Sequence, residues 1–228
     1  MKKWKKKIIS LLLPMIFVFS ACSDTADSGD EPLVIIAAET EITITPSMTQ
    51  VSDFVSMNKN FTPVYPDDMC YNITPSFIAD NSDFTIFKYN ESSESFLLYD
   101  DEIYSIGRCL GGFGITSMAL ADLNQDHQYE LYYTFSWGSG IHRSQIGYFD
   151  PADKEITVLD DFFLFSDIML TVNKSGDLCV NGTFFDSYSD VNFTLEAQSI
   201  LGTIVHERGK IIFHDRRTGT LFQEWDIF

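Results

Sequence analysis

From about residue 80 almost to its end, the chain is a succession of short apolar runs cut by polar turns. "FTIFKY" and "SFLLY" flank "NESSE", and "EIYSIG" follows after the two residues "DD". "ELYYTFSW" and "HRSQIGYF" flank "GSGI", "EITVL" follows "DPADK", and "IMLTV" and "LCVNGTFF" flank "NKSGD". "KIIFH" and "TLFQEW" close the series around "DRRTG". Runs of this length, rich in β-branched and aromatic residues and bounded by Asn, Asp, Gly and Ser, predict strands joined by hairpins. The fold class is therefore all-β, an antiparallel meander. Helical periodicity is confined to "PSMTQVSDFVSMN", where Met48, Val51, Phe54 and Val55 share a face behind Ser47 as N-cap. That pattern predicts a minor helix near 47–58. Pro63, Pro66 and Pro75 then predict irregular chain to about residue 80.

Three hairpins share an outline of aromatic strand end, polar turn and apolar strand: "FKYNESSESFLLY", "GYFDPADKEITVL" and "FHDRRTGTLFQEW". They start near residues 87, 147 and 213, a spacing above the usual periods of propeller blades. Either they are blades with long connections, or hairpins that resemble one another by chance.

The first 21 residues stand apart. Five lysines within the first seven precede the apolar run "IISLLLPMIFVF", which falls short of the roughly 20 residues a spanning helix needs. This is the layout of a signal peptide. "FSAC" after it resembles the lipobox of bacterial lipoproteins, with Ser20 and Ala21 small and Phe19 in place of the usual Leu. The resemblance implies lipidation of Cys22, which would become the mature N-terminus. Bulky Phe19 suits ordinary cleavage after Ala21 poorly. Acyl chains contribute ~0.8 kcal/mol per buried methylene, and two suffice for stable anchoring. Residues 22–32 carry the acidic stretch "SDTADSGDE", too poor in apolar residues to pack. They read as a tether, leaving 33–228 as a single β-rich domain on the extracytoplasmic face of a bacterial cell membrane.

Charge narrows the partners. The chain carries 33 acidic residues against 15 Lys and Arg, and removing the five leader lysines gives 10 − 33 = −23. Such a field repels nucleic acid and favours cations, besides keeping the domain soluble. Twenty Phe, 10 Tyr and 3 Trp supply a sizeable core. Cys70, Cys109 and Cys179 remain beside Cys22, with no CxxC spacing, so a structural zinc site has no support. One disulfide with a free thiol and three buried thiols both remain open.

The densest chemistry is "DLNQDHQYE", which sets Asp122, Asn124 and Asp126 at alternate positions and Glu130 beyond them. Calcium takes 6 to 8 oxygens at roughly 2.3–2.6 Å, and a tight loop supplies them only when ligands recur at such short intervals. A polar turn without metal is the other reading. "ITSMALADLNQDHQYELYYTFSW" resembles the FG-GAP and VCBS type of propeller repeat, in which an apolar lead enters D-x-[DN]-x-D-G-x-x-[DE]-L and then a strand. The resemblance implies a calcium loop with side-chain oxygens from Asp122, Asn124, Asp126 and Glu130 and the peptide carbonyl of Gln128. The family usually has Gly at the fourth and sixth loop positions, where this chain has Gln125 and His127. Those departures imply weak affinity, with Kd ~10⁻⁴–10⁻³ M as in extracellular modules. The resemblance covers some 30 residues of one unit. Seven blades of that size do not fit the chain, so it implies a partial or few-bladed propeller-like assembly.

"SWGSGIHRS" brings Ser139, His142 and Arg143 together but is not G-x-S-x-G, and its glycines suit a hairpin tip. As a binding surface it would offer the ring of Trp137 with donors on His142 and Arg143. His206 in "HERGK" lacks the second His of a zincin motif. No catalytic residue is assigned. The function expected is a lipid-anchored, calcium-stabilised binding module for an envelope or extracellular ligand. The alternative is a glycan- or cell-wall-acting hydrolase using paired carboxylates such as those of "YDDEIY" and "LDDFF", set about 5–10 Å apart. A solute-binding subunit would alternate strands with helices, and helical patterns are scarce.

Overall fold

The computed structural model describes residues 34–36, 70–89, 93–107, 111–160, 167–189 and 192–216. Cys22, the tether, the helix expected near 47–58, Cys109 and the strand "TLFQEW" lie outside them. Within them the protein is all-β, with one short helix and three antiparallel sheets. The first sheet runs β2 (Cys70–Asn72), β3 (Thr85–Tyr89), β4 (Ser95–Tyr99) and β5 (Glu102–Gly107) in chain order. The second runs β6 (Gly114–Ala121), β7 (Glu130–Trp137), β8 (Arg143–Asp150) and β9 (Glu155–Asp160), and β1 (Val34–Ile36) pairs with β6 on its free edge. The third holds β10 (Ile168–Val172), β11 (Leu178–Ser189), β12 (Asn192–Glu207) and β13 (Lys210–Asp215). No ring of blades closes among the described residues.

Each sheet joins strands in chain order, and a tight turn in the first shows why. Asp100 and Asp101 join β4 to β5 with φ of 51° and 59°. Positive φ at both central residues gives the turn whose twist matches a two-residue hairpin, and aspartate tolerates it. The short helix α1 (Ser76–Asn81) occupies chain that its prolines predict to be irregular. Pro75 sits at its N-cap, and it buries only Ile78, so six residues leave no periodicity to read.

Period two distributes the central sheet's side chains to opposite faces. Leu131, Tyr133 and Phe135 of β7 join Ile86 and Leu97 of the first sheet in one apolar cluster. Tyr132 turns the other way, into a second cluster with Ile168, Leu170, Val180 and Ile204 of the third sheet. All of β6 and all of β7 but Trp137 are consequently buried. Each large side chain removed from water contributes roughly 1.5–3 kcal/mol. Gly147 makes room for this packing, since a Cβ there would overlap the hydroxyl of Tyr133.

Hydroxyls dock β10 onto the central sheet. The Leu170 amide donates to Ser117 Oγ at 2.7 Å, Ser117 Oγ lies 2.7 Å from Thr134 Oγ1, and Thr116 Oγ1 donates to the Ile168 carbonyl at 2.8 Å. Four-stranded units thus begin at Cys70, Gly114 and Ile168. The three look-alike hairpins are not equivalent parts of them. The first is β3–β4, the inner pair of its sheet, the second is β8–β9, the last pair, and the third starts in a final strand.

Candidate metal centre

The β6–β7 hairpin is closed by residues 122–129, directly beyond the Ala121↔Glu130 pair. Its carboxylates organise its own backbone. Asp122 accepts from the amides of Asp126 at 3.0 Å (Oδ1) and His127 at 2.9 Å (Oδ2). Asn124 Oδ1 accepts from Asp126 at 2.9 Å, and Asp126 Oδ1 from Gln128 at 2.8 Å. This winding needs left-handed backbone at two places, and Gln125 (φ 62°) and His127 (φ 69°) supply it. These are the fourth and sixth loop positions, where glycine would enter that region without a Cβ penalty.

One oxygen each from Asp122, Asp126 and Glu130 lie within 4.8 Å of one another, a group able to hold a metal ion. Asp126 is exposed at the mouth, whereas Asp122 and Glu130 are buried. Glu130 is 1% exposed, and its two oxygens differ. Oε2 accepts from the Leu123 amide at 3.0 Å and the Tyr132 hydroxyl at 2.9 Å. Oε1 is buried with no hydrogen-bond partner among the described residues. Burial pushes the Glu130 carboxyl up to about 7, against the hydrogen bonds from Leu123 and Tyr132 and with help from the charges of Asp150 and Asp122. The Tyr132 phenol is driven far above its ordinary value, by burial first and then by Glu130, so it remains a donor. A plain polar turn explains the bonds to Asp122, Asn124 and Asp126. It does not explain a buried carboxylate beside two others with one oxygen that has no donor among the described residues.

Asn124 Oδ1 faces the loop's own amide, and the Gln128 amide is bound to Asp126. Tyr132 was not among the residues singled out from sequence. Its signal is the period of two that puts it on the same strand face as Glu130.

The glycine-rich tip is separate. Trp137 stands opposite Arg143 in the β7–β8 ladder and packs beside Phe135, their rings 6.1 Å apart. His142 turns away to Asp167 on the third sheet's side, with Nδ1 3.0 Å from Oδ2, and sits edge-on to Phe113. Asp100 and Asp101 of "YDDEIY" line a groove of about 440 Å³ with Asp83, Thr85, Leu98 and Tyr99, and Lys154 pairs with Asp100 there. Cys179 is a buried free thiol. No helix among the described residues is long and apolar enough to cross a membrane. Compared with protein-family models, curated proteins and solved structures, the chain matches none of them.

Proposed function

We propose that this is a lipid-anchored extracytoplasmic protein, tethered through Cys22, whose β domain is stabilised by calcium in the 122–130 loop. The observation that carries the metal is the buried Glu130 carboxylate beside Asp122 and Asp126, whose Oε1 has no hydrogen-bond partner among the described residues. A hard divalent cation supplies what that oxygen lacks, and an all-oxygen ligand set favours calcium over softer metals. Asn124 and the Gln128 carbonyl complete the protein's share of the shell. The left-handed backbone at Gln125 and His127 supports the likeness to the FG-GAP and VCBS loop. On this reading the metal is structural and the protein is a binding module for an envelope or extracellular ligand. Trp137, His142 and Arg143 are the contact residues proposed at the tip of β7–β8. The acidic field keeps nucleic acid away.

Thermal melts with calcium and with a chelator test the metal. At 1 mM calcium and a Kd of ~0.1 mM, binding adds about 1.4 kcal/mol, equivalent to roughly 3–6 °C in a domain of this size. Asp126→Ala abolishes that increment. Identical melts in both buffers for the wild type would remove calcium from the proposal.

A further inference from the structure

Glu130 Oε2 holds two donors, the Leu123 amide and the Tyr132 hydroxyl, and both residues lead to the same place. Tyr132 is fully buried and stacks on Tyr148, with centroids 5.6 Å apart and planes at 27°. Its cluster includes Ile168 and Leu170 of β10, Val180 of β11 and Ile204 of β12, and the Leu123 side chain packs against that cluster. Tyr129 of the same loop packs on the opposite cluster, without a hydrogen bond to the three carboxylates among the described residues. One carboxylate therefore belongs to the candidate metal group, has one oxygen, Oε1, without a hydrogen-bond partner among the described residues, and is bonded through Oε2 to residues of the seam between the second and third sheets.

We propose that cation occupancy of the loop controls how firmly β10 and β11 dock on the central sheet, through the hydrogen bonds from Tyr132 and Leu123 to Glu130. The inference rests on the loop being a cation site and adds a direction to its effect. A cation on Oε1 fixes the plane of the carboxylate, whose terminal torsion is otherwise broad. Fixing that plane fixes Oε2 as the acceptor for Tyr132, and so the ring on which β10 packs. The first sheet lies off this hydrogen-bonded path, although Met169 of β10 and Leu195 of β12 reach the cluster on its face.

Amide exchange of the full chain, in calcium chloride against chelator, reads the effect at single residues. The Leu170 amide is bonded to Ser117 Oγ across the seam, so its exchange requires the sheets to part. Leu97 of β4 serves as the control on the far side of the central sheet. At calcium ten times the Kd, any amide whose opening releases the cation slows by about tenfold. The expected result is such slowing at Asp126, His127 and Leu170, with Leu97 unchanged, and a diminished effect at Leu170 alone in Tyr132→Phe. Slowing at Asp126 and His127 only, equal slowing at Leu170 and Leu97, or an undiminished Leu170 effect in Tyr132→Phe each overturns the relay while leaving the metal in place. No slowing at Asp126 and His127 overturns the cation site and the relay together. The comparison of Leu170 with Leu97 in the wild type stands without the variant, should Tyr132→Phe fold poorly.

Discussion

The amide of His127 donates to Asp122 Oδ2 at 2.9 Å, closing the loop back onto the residue that leaves β6. The bond forms because His127 lies in the left-handed region at φ 69°. Any Cβ at that position approaches the following carbonyl, and a β-branched side chain tolerates the region worse than histidine does. His127→Val should lower stability, while His127→Gly should not, because glycine enters the region freely. Denaturant midpoints of the two variants check this. Equal losses would mean that the loop does not depend on left-handed backbone.

Glu130→Gln should separate the two states of the loop. In chelator the amide removes a buried charge with one unpartnered oxygen, keeps an acceptor for Leu123 and Tyr132, and offers a donor to Asp122 and Asp126. Leaving a buried polar group unpaired costs about 1–3 kcal/mol. The variant should therefore melt at or above the wild type in chelator at pH 7.5 and below it in calcium. Loss of stability in both buffers would assign Glu130 a role in the fold without metal.

The strands legible in sequence are those with one clear pattern and a turn at each end. "SFLLY", "EIYSIG", "ELYYTFSW" and "IMLTV" coincide with β4, β5, β7 and β10. β6, "GITSMALA", is the most completely buried strand and gave no alternation, because both of its faces are covered. β12 runs 16 residues through "NFTLEAQSILGTIVHE", where Gly202 and the polar stretch before it conceal a strand. Gly202 is needed because a Cβ there would overlap the His214 carbonyl of β13. The spacing of the acids exposed the loop, but spacing carries no burial. The unequal oxygens of Glu130 appear only once Tyr132 and Leu123 are placed.

Ser117 gives a direct measure of the seam between the second and third sheets. Its hydroxyl is the acceptor for the Leu170 amide, and Ser117→Ala leaves that buried amide unpaired. A loss of about 1–3 kcal/mol is expected, seen as a lower denaturant midpoint at unchanged m-value. A loss below ~0.5 kcal/mol would mean that water or relaxation replaces the bond and that β10 is held by its apolar side chains alone.

Lys88 faces the opposite demand from Glu130. It is buried in β3, directly across from Ser95, and burial lowers its ammonium to about 8 from an ordinary 10.5. Between those values the unfolded chain binds more protons at this site than the folded one, so stability rises with pH across that window. Below pH 8 both states are protonated, and the cost of burying the charge is at its full size. Above about 10.5 neither state is protonated, and the contribution levels off. The expected signature is a wild-type stability that climbs relative to Lys88→Met from pH 8 to 10.5, measured as the difference between the two proteins so that the tyrosines cancel. Parallel pH profiles would show that Lys88 keeps its ordinary affinity for a proton, and that its ammonium is solvated or compensated within the first sheet.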